Sequence, residues 1–114
     1  MKIAYIAHPI SGDIKGNLKR IERIGRQINL KEPEVVPFAH YYFDCHILDD
    51  DILEERERGI KNDIELMKRC FIDELRLYGN RISNGMMHEI VLARELGIVV
   101  VPMTPETKKE YKQL

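Results

Sequence analysis

The sequence has no excess of either charge. Eighteen Lys and Arg face nineteen Asp and Glu, a net charge of −1, so the basic surface of a general nucleic-acid binder is missing. No apolar run approaches the ~20 residues needed to span a bilayer. The N-terminus, MKIAYIAHPISG, carries one Lys and a strand-like run too short for a signal-peptide core. Only two cysteines occur, Cys45 and Cys70. They match no metal or redox spacing, their sequence context is apolar, and a reducing cytoplasm is the plain expectation. Neither GxGxxG nor GxxxxGK[ST] is present, so a dinucleotide or ATP loop is not supported. There is no internal repeat and no low-complexity segment. What remains, 114 residues with 44% hydrophobic content, suits one compact domain and leaves no room for two.

Short apolar runs alternate with helical periods. Residues 2–7, KIAYIA, read as a strand buried on both faces. Pro9 and Gly12 end it, and Asp13 can cap the next helix. There Ile14, Leu18, Ile21, Gly25 and Ile28 share one face, and Gly25 suggests close approach to the sheet. Val35 and Val36 begin a second strand. Residues 37–51, PFAHYYFDCHILDDD, lack a clean period and read as a loop over a cleft. Residues 52–69 predict a helix with Leu53, Ile60, Ile64 and Met67 facing inward and Gly59 marking a bend or close contact. Strand three is placed at Ile72–Tyr78. A helix runs from about Asn84 to Leu96 and stops at Gly97, and Ile98–Val101 is a fourth strand. Residues 1–103 make the domain, and 104–114 a polar tail with a short helix. The alternation predicts a three-layer, flavodoxin-like (Rossmann-like) parallel sheet of four to five strands in the order 2-1-3-4. Ligands of such sheets sit beyond the carboxyl ends of the strands, where the loops 8–13, 38–51 and 79–85 would meet.

Within the fourth helix, Glu89 shares an edge of the face made by Met86, Ile90, Ala93 and Leu96. It is either a boundary glutamate, reaching water or pairing with Arg81 or Arg94, or a partly desolvated carboxylate at a cleft floor. In the second case it can attack an anomeric carbon and hold a covalent glycosyl intermediate. Ser83-Asn84-Gly85-Met86 opens the same helix. It is a plain N-cap, on which an anion site can also be built. His40, Asp44, Cys45, His46 and Asp49–Asp51 match no zinc or calcium spacing. No metal is assigned, and Asp50 or Asp51 is expected to cap the following helix. Tyr41, Tyr42 and Phe43 either stack on a base or pack under the loop. Arg56, Gly59 and Asp63 share a face. It is either solvated or, if it looks into the cleft, brings Asp63 to a sugar or base.

From YIAHPISG at 5–12 to VVVPM at 99–103, the chain resembles the nucleoside 2-deoxyribosyltransferase-like superfamily, including small, often phage-encoded members. SNGMMHEIVLARELGIVVV carries most of the likeness. Deoxyribosyltransferases and deoxynucleoside 5′-monophosphate N-glycosidases have a similar Gly-x-x-x-Glu at a helix start. The resemblance implies that Glu89 is the nucleophile and that Ser83, with the amides near Gly85 and Met86, holds a 5′-phosphate. It implicates His8, Gly12 and Asn17 in the first loop. Asp63 is the nearest counterpart of a substrate-contacting aspartate, although its interval to Asp73 is longer than in the family pattern. His8, His40 and Asp63 would orient sugar or base, one of them donating a proton. The expected protein is an N-glycosidase acting on a (deoxy)nucleoside 5′-monophosphate, needing no cofactor, binding neither nucleic acid nor membrane, and forming a homodimer. Deoxyribosyl transfer is disfavoured, because TPETKKEYKQL has no counterpart of the tail with which transferases complete a neighbour's site. A non-catalytic nucleotide-binding domain and a hydrolase of NAD-like substrates are the other readings.

Overall fold

In the computed structural model, which describes residues 1–114, four parallel strands lie in the order β2-β1-β3-β4. They are β1 (Lys2–Ala7), β2 (Val35–Phe38), β3 (Glu74–Leu77) and β4 (Val99–Pro102). The helices are α1 (Ile14–Lys31), α2 (His40–Ile47), α3 (Leu53–Lys68), α4 (Asn84–Leu96) and α5 (Pro105–Tyr111). This is the three-layer, flavodoxin-like order expected from the alternation of periods. Parallel strands need helical crossovers, and these cover both faces of the sheet.

The central strand shows how the faces divide. Ala4 and Ile6 pack with Ile28 of α1 and Val35 of β2, while Tyr5 and Ala7 join Met67 of α3 and Met86, Ile90 and Ala93 of α4. Successive strand residues point to opposite sides, so one short run feeds two cores. Gly97 ends α4 at φ +74, a left-handed conformation that glycine adopts without strain. Gly79, after β3, has φ +89, and a Cβ there would lie 2.6 Å from Pro9 Cδ. Only glycine lets the β3–α4 loop pass so close to the first loop.

Several expectations are corrected. Residues 40–47 form a helix, not an open loop. Their period is inverted: Asp44 is buried whereas Phe43 and Ile47 face solvent. On α3 only Met67 is buried, and Leu53, Ile60 and Ile64 are exposed, because no other element packs on that side of the helix. Gly25 makes no close approach, since a Cβ there would meet no atom within 4 Å. Nor does Gly59, where a Cβ would meet Leu48 at 3.7 Å, an ordinary packing distance. Asp50 and Asp51 do not cap α3. Its N-cap is Ile52, without a side-chain bond, and Asp49 instead accepts from the Asp51 amide. Cys70 is exposed at φ +63, outside the apolar setting its neighbours suggested.

The C-terminal segment is tied down. Thr107 is fully buried and donates to Leu77 O at 3.1 Å. Thr104 caps α5 and donates to Gly79 O at 2.8 Å, and Glu110 accepts from the Ile82 amide at 3.1 Å. Thr104 and Glu110 thus hold the loop between β3 and α4 in place, and Thr107 ties α5 to the end of β3.

Candidate active site

Glu89 lies one turn into α4, on the flank facing the sheet. It makes no ion pair: Arg81 donates to Ser11 O at 3.4 Å, and Arg94 sits over the Tyr111 ring at 5.1 Å. The pairing proposed by the plainer reading is therefore not formed. Part of the Glu89 side chain stays open to solvent, yet the surrounding protein pushes its pKa up to about 8. Desolvation is the main cause. The Tyr5 hydroxyl opposes it by favouring the charged form, and the Asp63 carboxylate adds to it.

Tyr5 comes from the middle of β1 and is wholly buried. Its hydroxyl lies beside Glu89 without closing a hydrogen bond of its own. Asp63, from α3, also has a buried oxygen, Oδ1, with no partner. Burial raises its pKa to about 7, helped by the charge of Asp44. Asp44 is buried on α2, 3.4 Å from His40 Nε2, and accepts from Asn62 Nδ2 at 3.3 Å. Tyr41 donates its hydroxyl to Ile6 O, and its ring lies tilted at 33° to that of Tyr5 with centroids 6.0 Å apart. Three carboxylates from three helices therefore share one low-dielectric region with two tyrosines. Like charges so placed cannot all ionise cheaply, and the Asp63–Glu89 pair retains protons near neutral pH.

The other predicted residues form the rim. Ser83 caps α4: its Oγ accepts from the Met86 amide at 3.3 Å. The amides of Asn84 and Gly85 precede the first intrahelical acceptor and remain free for a ligand. Gly85 is exposed, whereas Met86 is core and turns its sulfur to the Ser83 amide. His8 is buried, with Nδ1 2.7 Å from Pro9 O. Burial holds its pKa down, and the nearby charges of Arg20 and Arg81 push the same way. Asn17 is committed to the scaffold, donating to Ile10 O and accepting from Arg20, both at 3.0 Å. Gly12 is an exposed turn residue at φ +95. His40 enters the cluster only through Asp44.

Sequence reasoning missed Tyr5 and Tyr41 as neighbours of Glu89, and Asp44 as a neighbour of Asp63. The signal for Tyr5 was a hydroxyl in a strand buried on both sides, which requires a polar partner. For Asp44 it was an acid among aromatics.

No helix is long and apolar enough to cross a membrane. No curated protein and no solved structure matches the chain. Residues 2–103 match the family described as a domain of unknown function, DUF7768, and the chain belongs to that family.

Proposed function

We propose that the protein cleaves the N-glycosidic bond of a nucleoside 5′-monophosphate, with Glu89 as nucleophile. The observation that carries this reading is an enclosed, unpaired carboxylate beside a second protonatable carboxyl, Asp63. Resemblance to the deoxyribosyltransferase-like superfamily supports the substrate class. One oxygen of Glu89 attacks C1′, the C1′–N bond breaks, and the base leaves with the proton of Asp63. Water then attacks the glycosyl ester. The sugar phosphate departs, Glu89 regains its carboxylate, and the proton from water returns to Asp63. The free amides at the start of α4, the Ser83 hydroxyl and Arg81 would receive the phosphate, since a helix N-terminus favours anions. Two free cysteines suit a reducing cytoplasm.

Protonation sets a condition on this mechanism. Attack needs Glu89 charged and Asp63 protonated, yet Glu89 is raised to about 8 and Asp63 to about 7. The resting pair favours the opposite arrangement. Closing the Tyr5–Glu89 hydrogen bond favours the charged Glu89, so substrate that completes this contact moves the proton to Asp63.

The test is base release from a panel of nucleoside and deoxynucleoside monophosphates by wild type and Glu89→Gln. A loss of at least ~10³-fold is expected, on the scale of removing a group that acts only in the transition state. Equal release by both proteins would sink the nucleophile assignment. Parallel assays with free nucleosides test the phosphate contact, which predicts a higher KM without the phosphate. A second reading, ligand binding without turnover, is favoured by the same raised pKa: a protonated Glu89 is a hydrogen-bond donor to a sugar hydroxyl. Saturable binding with no base release over hours would select it.

A further inference from the structure

The region around Glu89 gathers negative charge with little to balance it. Glu89, Asp63 and Asp44 come from three helices, and no Lys or Arg pairs with any of them. Arg56, two turns before Asp63 on α3, is exposed and makes no ion pair. His40 reaches Asp44 alone, at 3.4 Å. Neighbouring groups register the same potential. Burial first, and then the charge of nearby carboxylates, raises the pKa of the Tyr5 and Tyr41 hydroxyls and of the Cys45 thiol. Two buried polar atoms at the centre have no partner. They are Asp63 Oδ1 and the hydroxyl of Tyr5, a residue with no exposed surface that lies beside Glu89. Buried polar atoms of this kind call for a ligand to satisfy them.

We infer that the leaving base of the preferred substrate is a cationic heterocycle, a pyridinium or a quaternised purine, and that Asp63 recognises its charge. The inference rests on the glycosidase reading and names the class of base that reading leaves open. A cation beside Glu89 and Asp63 favours the ionised form of both, so binding itself charges the nucleophile. One oxygen of Glu89 attacks C1′, the C1′–N bond breaks, and its electron pair cancels the positive charge of the ring. The base departs neutral and needs no proton from Asp63. Water then attacks C1′, the ester bond to Glu89 breaks, and ionised Asp63 takes the proton from water. A neutral base needs the opposite of the resting state, in which Asp63 is the more acidic of the pair. A cationic base removes that requirement.

Nicotinamide mononucleotide is the probe. Its reduced form is the control, of nearly the same shape but without the ring charge. Calorimetric titration uses Glu89→Gln, which leaves the probe uncleaved. The pyridinium form should bind at least ~10-fold tighter than the reduced one, on the scale of one charge–charge contact in a partly enclosed site. Adding Asp63→Asn should bring the two affinities within ~3-fold of each other, with circular dichroism confirming the fold. In wild-type turnover, kcat/KM for nicotinamide mononucleotide should rise with pH through about 8 and then stay level. For a monophosphate with an uncharged base it should fall as Asp63 loses its proton. Equal affinity for the two forms overturns the inference, and so does a charge preference that survives Asp63→Asn. Glu89-dependent cleavage of uncharged-base monophosphates alongside equal affinities would leave the glycosidase reading standing and remove only the cationic class. Charge-selective binding with no release of nicotinamide by the wild type would do the reverse, supporting the cation site and ending the glycosidase reading.

Discussion

The two faces of the sheet both bury charge, and they treat it in opposite ways. On the α1 face Arg76 is 5% exposed and fully engaged. Its two terminal nitrogens meet the Glu32 carboxylate at 2.9 and 3.0 Å, its Nε reaches Glu74 at 3.4 Å, and Lys2 closes on Glu74 at 2.8 Å. On the α3–α4 face Asp63 and Glu89 have no cation, and Tyr5 has no closed hydrogen bond. A paired buried charge fixes geometry, because losing either partner strands the other. An unpaired buried acid is instead a cost to the fold, and such costs concentrate where proton transfer or covalent chemistry is done. The same β-sheet thus separates a paired network from an unpaired one by the thickness of a strand.

The two faces also answer pH in opposite directions. The Arg76 guanidinium hydrogen-bonded to Glu32 holds that carboxyl below its ordinary value. Its stabilisation is present above the ordinary pKa and is lost as pH falls through the depressed one. Glu89 and Asp63 are raised to about 8 and about 7. Folding favours their protonated forms, so their contribution is best in acid and declines as pH rises from about 4 to about 8.

The largest effect should come from breaking the paired face. Arg76→Ala is expected to cost about 3 kcal/mol in urea unfolding, because it leaves buried Glu74 short of its partner. The unpaired face should respond in the other direction. Glu89→Gln is expected to gain about 2 kcal/mol over wild type at pH 9 and almost nothing at pH 4, read from denaturant midpoints at the two pH values. Tyr5→Phe removes the group that favours charged Glu89. The rising limb of kcat/KM should therefore move to higher pH, and an unmoved limb would disconnect Tyr5 from the site. Glu110→Ala frees the Ile82 amide and loosens the loop that carries Arg81 and Ser83. It should cost about 1 kcal/mol and raise KM for a monophosphate more than it lowers kcat. The smallest effect belongs to neither face. Cys70→Gly relieves a left-handed residue at an exposed turn and should gain about 0.5 kcal/mol in the same unfolding assay.

What was legible in the sequence follows the same division. β1, α1 and α4 were readable because their buried positions are apolar and their ends carry ordinary signals, Asp13 and Ser83 at the starts and Gly97 at the close. Glu89 was readable as an acid on an apolar flank. α2 was hidden because its buried residue is polar and its exposed residues are Phe43 and Ile47, the reverse of the pattern that marks a helix. The stripe on α3 was visible, but its periodicity shows only that one side is apolar and leaves open whether the chain itself covers it. Tyr5 and Asp44 were missed for a related reason. Their roles depend on which strands and helices meet, and that is a property of the tertiary fold.

The central claim is that the α3–α4 face holds an unpaired, proton-retaining acid pair. Carbon-13 NMR titration of the Glu89 and Asp63 carboxyl carbons tests it most directly, with Glu89→Gln supplying the assignment. The account predicts that Glu89 titrates near 8 and that its curve moves to lower pH in Asp63→Asn. A Glu89 that titrates near 4.5, the ordinary value for a glutamate, would contradict it.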